Sequence, residues 1–352
     1  MSMNYEKTAR ELISRVTDTA KTKKKLSGFC IGNTAKIENN DLYFTPLREI
    51  HNMSIAGVIV YSEKQAIDIA READGKVDYI LVDAEKKIPE CMSRLGTPAN
   101  VERAVRETVK KSSLWVYKGN DLAVEALDGL LAYLTKDSLQ GIGGKKIAII
   151  GAGNLGCKLA IKLVERGAHI FITRRDAAKI KIIAKAINHI KPAYTIAKVI
   201  GMTDNLAACK GADILIGMTA GIPVITAEMI RSLAPGAIVV DGGKGTLYPE
   251  AIGAAYKSGI EVYRLDVSAA FEGLISHLFA CENLVRKRMG RRVFRGEPIV
   301  SGGLMGRKGD IVVDNVHAPS MAYGIADGKG DFIRSLSQKH LARMKSIKVQ
   351  EK

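Results

Sequence analysis

The hydrophobic positions of the chain alternate between strand-like and helix-like patterns over most of residues 55–285. Ile55–Val60 and Tyr79–Val82 are short apolar runs of the kind found in buried strands. Between them, Ser62 can cap a helix, and Gly75 can end it. A strand, a helix and a second strand in this order predict a parallel sheet.

Three further elements are predicted before a glycine-rich loop. Residues 97–111 predict a helix whose Thr-Pro start places the proline in the first turn. Leu114–Tyr117 predicts a short strand, and Asp121–Thr135 predicts a long amphipathic helix. The loop Gln140–Gly144 that follows is typical of a hinge or linker.

Beyond the loop, strands and helices alternate regularly, which predicts a doubly wound parallel sheet. The predicted strands are Lys146–Ile150, His169–Thr173, Ile214–Met218, Ala237–Val240 and Ile260–Leu265. The predicted helices are Asn154–Arg166, Asp176–Ile190, Ala227–Leu233, Pro249–Ser258 and Ser268–Met289. After them, only Ile311–Val313 has a strand-like pattern.

The sequence therefore predicts an α/β protein with two domains and a basic C-terminal segment. Residues 139–285 are expected to form a doubly wound Rossmann domain, and residues 1–138 a second, N-terminal α/β domain with the substrate and catalytic groups. A deep cleft is expected between them. Residues 286–352 are expected to pack back on the N-terminal domain or on a partner subunit.

Composition narrows the class of protein. The chain has 352 residues, of which 47% are hydrophobic and 26% charged, and this excludes a disordered chain. No apolar run is long enough for a membrane helix, and the first residues lack the apolar core of a signal peptide, so we expect a cytoplasmic protein. Five widely spaced cysteines without a CxxC pair predict reduced thiols and no metal site.

The residues of the segment 151–156 form a GxGxxG motif between a predicted strand and a predicted helix. The first glycine permits a tight turn, the second lets a pyrophosphate approach the backbone, and the third lets helix and strand pack closely. Free N–H groups at the helix start favour phosphate binding. The predicted cofactor-binding residues here are Gly151, Gly153, Asn154, Leu155 and Gly156.

The residues after the second predicted strand indicate which dinucleotide binds. NAD-binding domains usually place an acidic residue there, whereas this chain has Thr173, Arg174 and Arg175. Guanidinium groups match the geometry of phosphate oxygens, so the pattern predicts NADP, with these three residues around the 2′-phosphate. A solvated basic turn is the alternative. Asp176 is expected to cap the next helix.

Two glycine-rich loops follow later strands, where the rest of the cofactor would lie. Their small residues would let the backbone approach the nicotinamide and its ribose. The residues predicted to bind the cofactor there are Met218, Thr219, Ala220, Asp241 and Gly242. Short structural loops without a ligand are the alternative.

The second half of the chain resembles two-domain dehydrogenases of the shikimate dehydrogenase and methylene-tetrahydrofolate or methylene-tetrahydromethanopterin dehydrogenase type. The segments that carry the resemblance are Asp128–Leu134, Gly144–Gly151, Gly211–Ile216 and Pro235–Asp241. The turn Thr173–Arg175 is similar to the NADP-binding turn of shikimate dehydrogenases. The resemblance implies a nicotinamide-dependent dehydrogenase with its substrate between two domains.

The catalytic motifs of these families are absent. The Asn-x-Thr-x-Pro-x-Lys run of shikimate dehydrogenases has Val60–Lys64 as its nearest counterpart, and their Asn-Thr-Asp-Gly run has two partial ones, Asn120-Asp121 and Asp128-Gly129. The Tyr-x-x-x-Lys pair of the methylene-folate enzymes is also missing. The protein is therefore expected to be strictly neither enzyme, and these motifs leave its substrate open.

Oxidation of an alcohol needs a proton acceptor, commonly Lys or His with a supporting carboxylate. The candidates near predicted strand ends are Lys118, Asp121, Lys64 and Asn120. For the lysines and Asp121 the alternative is ordinary surface charge. Weaker candidates for substrate binding are Asp128, Lys244 and His317.

The formal net charge of +16 predicts attraction to anions. A dense part of this charge lies in Arg286, Lys287, Arg288, Arg291, Arg292 and Arg295. That cluster is compatible with an anion clamp, a nucleic-acid contact, or a solvated or subunit-contact segment. Because only 5% of residues are aromatic, few stacking platforms exist and nucleic-acid binding is not expected.

The sequence thus predicts an NADP-dependent oxidoreductase that transfers a hydride to or from a small, polar, anionic substrate, in a homodimer. One alternative is a dehydrogenase of a pterin-bound one-carbon unit, which would need little acid–base chemistry. The other is a non-catalytic protein that binds NADP as a sensor.

Overall fold

The structure is a computed structural model that describes residues 5–34, 42–50, 52–89 and 97–347. The chain forms two compact units, residues 1–272 and residues 273–352. The first unit contains two β-sheets and the second unit contains one. The domain boundaries predicted at 138/139 and 285/286 stay predictions.

The first sheet has six strands in the order β2-β4-β1-β5-β6, with β3 also paired to β4. Strands β4, β1, β5 and β6 are parallel, whereas β2 and β3 run antiparallel to β4. The strands are β1 (Leu26–Asn33), β2 (Tyr43–Phe44), β3 (Arg48–Ile50), β4 (Met53–Val60), β5 (Tyr79–Asp83) and β6 (Ser113–Tyr117). The helices around them are α1 (Tyr5–Lys23), α2 (Glu63–Ala73) and α3 (Val101–Thr108).

Helix starts in this half follow from capping side chains. The hydroxyl of Ser62 accepts a hydrogen bond from the backbone of Gln65, as the sequence predicts. The prediction of a helix from residue 97 was wrong, since α3 begins at Val101. Asn100 is its cap, because the Asn100 side chain accepts a hydrogen bond from the backbone of Arg103 at 3.0 Å.

The second sheet has six parallel strands in the order β12-β11-β10-β7-β8-β9. The strands are β7 (Lys146–Ile150), β8 (His169–Thr173), β9 (Val199–Met202), β10 (Ile214–Gly217), β11 (Ile238–Asp241) and β12 (Val262–Arg264). The helices are α4 (Gly119–Leu134), α5 (Asn154–Glu165), α6 (Ala177–Ile190), α7 (Asn205–Cys209), α8 (Ala227–Arg231) and α9 (Pro249–Lys257). Helices cover both faces, which confirms the predicted doubly wound α/β fold.

The strand order of this sheet reverses between β7 and β10. In doubly wound sheets, the crevice outside the carboxyl ends of the strands at such a reversal is where ligands bind. The GxGxxG segment directly follows β7, so the topology places it at that crevice. The strands of this sheet were predicted well because they are continuous apolar runs, except for β9, which the sequence pattern does not reveal.

Helix α4 packs in the core of the second sheet, where Leu127 and Leu131 are buried against α5. The facing surfaces of α4 and α5 are also joined by a row of polar contacts, here called the α4–α5 ladder. Its four members are Asn120–Asn154 at 3.0 Å, Asp121–Lys158 at 2.5 Å, Glu125–Lys162 at 2.8 Å and Asp128–Arg166 at 2.7 Å. The partners on α5 recur every four residues, which places them on one helix face.

The second compact unit contains a four-stranded mixed sheet in the order β13-β14-β15-β16. Helix α10 (Ser268–Asn283) and a π-helical turn (Leu284–Arg288) precede its elements, which are β13 (Gly290–Phe294), β14 (Glu297–Ser301), β15 (Ile311–Val313), β16 (Ala322–Ile325) and α11 (Gln338–Ile347). A small core of Ile299, Ile311 and Ile325 lies on the sheet. Of the strands in this sheet, the sequence pattern predicts β15 alone.

Three of the six clustered cations have partners among the residues that the structure describes. Arg291 forms two hydrogen bonds with Asp310, each of 2.8 Å. Arg286 pairs with Glu282 at 2.7 Å, and Arg295 donates to a backbone carbonyl. These contacts favour a structural role for this part of the cluster.

Candidate functional site

The glycine turn after β7 has the backbone geometry that dinucleotide binding requires. Gly151 has a φ of +117°, and a Cβ atom there would lie 2.8 Å from the backbone of Met218. A Cβ atom on Gly156 would lie 2.1 Å from the Gly151 carbonyl oxygen, so close packing of turn and helix needs glycine. Gly153 has no neighbouring atom within 4 Å of a Cβ position and leaves room for a phosphate.

The start of α5 is open toward this space. Gly153 is the cap residue, and no side chain in the described part of the chain caps the helix. The first N–H groups of a helix lack partners within it, and the positive end of the helix dipole attracts anions. The segment that begins with Asn154 and Leu155 therefore suits a pyrophosphate.

The turn after β8 carries two guanidinium groups near the glycine turn. Arg174 Nη1 donates a hydrogen bond of 2.8 Å to the carbonyl oxygen of Ala152, while Arg175 is exposed. Thr173 is buried at the end of β8. The Asp176 carboxylate caps α6 through the backbone N–H of Lys179, and this hydrogen bond holds the pKa of Asp176 below its usual value. Asp176 is therefore engaged as a helix cap.

The loops after β10 and β11 are packed so closely that side chains would not fit between them. A Cβ atom on Gly243 would lie 2.0 Å from the carbonyl oxygen of Thr219, and one on Gly242 would lie 2.5 Å from the sulfur of Met218. Thr219 Oγ1 donates to the Ile222 carbonyl oxygen at 2.7 Å. Ala220 is exposed. Their contacts with a cofactor stay predictions.

Asp241 organises the second of these loops from inside. It is only 4% exposed and accepts hydrogen bonds from the Gly245 and Thr246 backbones and the Thr246 hydroxyl, at 2.7, 3.0 and 2.8 Å. Burial would raise its pKa, but these bonds and the charge of Arg264 hold the pKa below its usual value. The carboxylate shapes the loop that carries Lys244, and its predicted cofactor contact remains a prediction.

A cavity of about 510 Å³ opens beside the carboxyl ends of the first sheet. Its polar wall includes Asn33, Arg48, Asp83, Lys87, Tyr117, Asn120 and Lys244. Its apolar wall includes Ile55, Val58, Ile59, Leu122, Val267 and Phe271. Lys244 comes from the loop after β11, so both sheets of the first unit contribute to the wall.

The cavity contains a lysine–carboxylate pair that was not predicted from the sequence. Asp83, at the end of β5, is 2% exposed, and its Oδ2 lies 2.7 Å from Lys87 Nζ. The other oxygen of Asp83 accepts hydrogen bonds from the backbones of Glu85 and Gly119. The sequence could have indicated Asp83, because it directly follows the apolar run Tyr79–Val82. Lys87 lies in a loop without such a pattern.

A chain of alternating charges extends from this pair to α4. Glu85 contacts both Lys87, at 2.9 Å, and Lys158, at 3.3 Å. Lys158 pairs with Asp121, which also lies 3.5 Å from Lys118. Although burial would raise the pKa of Glu85 and of Asp121, contacts with these lysines help to hold both values low.

Of the four predicted catalytic residues, Asn120 alone is among the residues that line the cavity. Its backbone N–H donates to Glu85 at 2.7 Å, and its side chain donates to Asn154 of the glycine motif at 3.0 Å. Lys118 and Asp121 stand at the start of α4, beside Lys158. Asn120 therefore links the cavity to the dinucleotide turn.

The other predicted side chains lie in different surroundings. Lys64 is exposed on α2 and pairs with Asp68 at 2.6 Å, which raises the pKa of Lys64. Asp128 is held in the α4–α5 ladder by two hydrogen bonds from Arg166. His317 belongs to the second compact unit, where its backbone N–H donates to Asn315. None of the three is among the cavity residues, and their roles stay predictions.

The position of Asp128 allows a direct test of its role. We expect Asp128→Asn to lower the free energy of unfolding by about 1–3 kcal/mol, because Arg166 would lose a charged, two-point partner. Any binding of a nicotinamide nucleotide, and any turnover, should remain within about twofold of wild type, a change of roughly 0.4 kcal/mol. Urea unfolding and steady-state kinetics measure the two quantities, and a selective rise in substrate KM would instead support substrate binding.

Within the described ranges, no group of three or more His, Cys, Asp and Glu side chains is placed to hold a metal ion. The same ranges contain no helix with the length and apolar character needed to cross a bilayer. Cys30, Cys157, Cys209 and Cys281 are free thiols, and Cys91 lies outside the described residues.

Comparison with protein families gives one match. Residues 133–241 match the family model for shikimate / quinate 5-dehydrogenase. The matched segment contains the glycine turn and the Thr173–Arg175 turn, and it supports an oxidoreductase with a nicotinamide cofactor. The match does not distinguish NADP from NAD, and the resemblance to methylene-folate enzymes stays a prediction. No curated protein sequence matches the chain.

Three of the solved structures with a similar backbone are described here. Dipicolinate synthase from Bacillus halodurans is 14% identical, with a TM-score of 0.37 over 73% of this chain and 97% of the matched one. L-tryptophan dehydrogenase from Nostoc punctiforme is 17% identical, with a TM-score of 0.40 over 72% and 73%. A protein from Polaromonas that has been assigned as a D-isomer specific 2-hydroxyacid dehydrogenase is 12% identical, with a TM-score of 0.34, and the match covers 74% of this chain and 97% of the other. At these values the three structures carry no information about the reaction of this chain. What is shown is a doubly wound α/β protein whose residues 133–241 match a dehydrogenase family.

Proposed function

We propose that this protein is an NADP-dependent oxidoreductase acting on a small substrate in the cavity beside the first sheet. The observation that carries the proposal is the hydrogen bond between Asn120 and Asn154. It joins the wall of a cavity that contains a lysine–carboxylate pair to the glycine turn of a dinucleotide fold. A substrate and a cofactor could therefore occupy neighbouring sites.

The residues around the glycine turn fit such a cofactor. The open space at Gly153 and the uncapped start of α5 would receive the pyrophosphate. Arg174 and Arg175 would bind the 2′-phosphate, since the acidic residue that follows them in the sequence, Asp176, is engaged as a helix cap. When bound, the nicotinamide supplies or accepts a hydride.

Protein groups must then position the substrate and move a proton. Lys87 Nζ is held 2.7 Å from Asp83 and 2.9 Å from Glu85, which fixes its direction in the cavity wall. In the reductive direction Lys87 gives a proton to the substrate oxygen, and in the oxidative direction it takes that proton back. Asp83 acts as the supporting carboxylate. The homodimer and the cytoplasmic location remain predictions.

The proposal is tested first by cofactor binding. Gly153 has a φ of −90° and open space around it, so Gly153→Asp should fold normally while placing a carboxylate where the pyrophosphate would lie. We expect calorimetry to show NADPH binding to wild type and at least about tenfold weaker binding to the variant, or 1.4 kcal/mol. Gly129→Asp is the matched control, because Gly129 also has open space around it.

Three results would count against the proposal, two from this titration and one from an activity assay. Failure of wild type to bind either nucleotide would refute it, and tighter binding of NADH would refute the choice of NADP. The third result is tight NADPH binding without turnover of any small hydroxy or keto compound. Turnover is measured by the absorbance of the nicotinamide, and this result would favour the sensor alternative.

A further inference from the structure

Charge is distributed unevenly around the cavity. The network that contains the lysine–carboxylate pair is balanced, with three carboxylates and three ammonium groups. Its members are Asp83, Glu85, Asp121, Lys87, Lys118 and Lys158. An anionic ligand therefore gains little net attraction from that network, since each cation in it already faces a carboxylate.

A second polar group on the cavity wall carries an excess of positive charge. Arg48 Nε lies 3.4 Å from the hydroxyl of Ser268, and this hydroxyl donates to Asp266 at 2.6 Å. Hydrogen bonds from Ser268, and then the charges of Arg48 and Lys244, hold the pKa of Asp266 below its usual value. Among the described residues neither Arg48 nor Lys244 forms an ion pair, although both charges act on the nearby Asp266 carboxylate. This part of the cavity wall therefore carries more positive than negative charge.

Lys244 is held in this position against its backbone preference. Its φ is +56°, in the left-handed region that favours glycine, and the loop around it is fixed by Asp241. Within the described ranges, the Lys244 ammonium has neither a hydrogen bond nor an ion pair. A strained, unpaired lysine on a cavity wall is typical of a ligand-binding position.

Asn33 adds an independent requirement. It is 5% exposed and lines the cavity at the end of β1. Its side-chain nitrogen donates to the Asp83 carbonyl oxygen at 3.2 Å, but its side-chain oxygen is buried without a partner among the described residues. Buried acceptors are rarely left without a donor, so a ligand N–H or O–H that reached this point would complete the hydrogen bonding of Asn33.

We infer that the cavity contains an anion subsite formed by Arg48 and Lys244, and that its substrate is a small anion with a hydroxyl or amine donor for Asn33. The anionic group is a carboxylate or a phosphate, both of which a guanidinium binds. Ile55, Val58 and Phe271 give the ligand an apolar wall for its carbon body. Calling this ligand a substrate rests on the proposed function, whereas the subsite itself does not.

The test measures binding of small aromatic anions to the full chain by calorimetry. The probes are benzoate, 3-hydroxybenzoate, 3-aminobenzoate, phenyl phosphate and, as a neutral control, benzamide. We expect at least about tenfold tighter binding of the hydroxy- or aminobenzoate than of benzoate. Tighter binding of phenyl phosphate than of benzoate would identify a phosphate as the anionic group.

Substitutions then assign each contact. Arg48→Gln and Lys244→Gly should each weaken binding of 3-hydroxybenzoate by at least about tenfold, and Asn33→Leu should remove its advantage over benzoate. Lys24→Gly is the matched control, because Lys24 also has a positive φ, of 54°, but lies in the turn after α1. Both lysine-to-glycine variants should raise the melting temperature, because glycine adopts a positive φ without strain. A loss of binding in Lys244→Gly that is absent in Lys24→Gly would therefore not be caused by unfolding.

The inference is overturned by three results: none of the anions binds, benzamide binds as tightly as they do, or the Arg48 and Lys244 variants keep wild-type affinity. NADPH binding is measured on the same samples. If the protein binds NADPH but none of the anions, only the subsite is contradicted. If it binds the anions but not NADPH, only the proposed function is contradicted.

Discussion

Replacement of Lys87 by methionine is expected to lower kcat by about 100- to 10,000-fold, which is the usual contribution of a positioned proton donor or acceptor. Methionine keeps a similar length and volume but cannot carry the proton. NADPH affinity should stay within about twofold, or 0.4 kcal/mol, because Lys87 lies on the cavity wall and not at the glycine turn. Stopped-flow and steady-state kinetics with any accepted substrate measure this split.

Two further variants separate chemistry from stability. Lys87→Met alone leaves the buried Asp83 carboxylate without its ammonium partner, which destabilises the fold. The double variant Asp83→Asn/Lys87→Met removes both charges and should regain much of that stability without regaining turnover. Lys86→Met is the neighbouring control, since Lys86 contacts Asn100 instead of the cavity, and its turnover should match wild type. Wild-type kcat in Lys87→Met would refute the proposed proton transfer.

The double variant Arg174→Ser/Arg175→Ser is expected to weaken NADPH binding by about 100-fold or more, because each hydrogen bond to a charged group contributes about 1.5–3 kcal/mol. NADH lacks the 2′-phosphate, so its affinity should change far less. The measured quantity is the ratio of the two dissociation constants from calorimetry. Since Arg174 also holds the Ala152 carbonyl oxygen, Arg175→Ser alone is the cleaner single variant.

The control for this experiment is Lys185→Ser, which removes an exposed cation from α6 without altering the turn after β8. It reports the effect of net charge alone on NADPH binding. A ratio that is equal in Arg175→Ser, the double variant and wild type would show that these arginines form an ordinary solvated turn. In that case NADP specificity would lose its main support.

The second sheet could be predicted from the sequence because local pattern and tertiary environment agree there. Strands such as β7 and β10 are buried on both faces, and such strands are continuous apolar runs. The glycine motif also lies where the sequence predicts it. A Cβ atom on Gly151 or Gly156 would collide with backbone atoms, whereas one on Gly153 would have open space around it.

Strand β1 could not be predicted, although it is almost entirely buried. Its apolar pattern is broken by Gly28 and Gly32, which have no side chain to reveal a buried position. Neighbouring side chains fill the volume instead: a Cβ atom on Gly28 would lie 2.4 Å from the sulfur of Met53, and one on Gly32 would lie 2.6 Å from Ile59. The packing partner is distant in sequence, so a local window does not contain the signal.

In the candidate site, too, the local sequence pattern identifies some residues and misses others. Asn120 was identified because it follows a strand and precedes a helix, and it does line the cavity. Arg48 and Lys87 were missed, because a three-residue strand and an unpatterned loop give no local indication of what they face. Lys64 also follows a strand, as Asn120 does, but it pairs with Asp68 on the exposed surface of α2.

The α4–α5 ladder also has a mechanical consequence. The segment Gln140–Gly144 has the composition of a hinge. However, α4 before it and the second sheet after it are held together by the four polar contacts of the ladder and by a shared hydrophobic core. These contacts oppose relative movement of α4 and the second sheet, so a hinge motion at this loop would have to break them. We therefore expect the glycines of the loop to turn the chain sharply, since Gly141 and Gly144 have φ values of +57° and +73°.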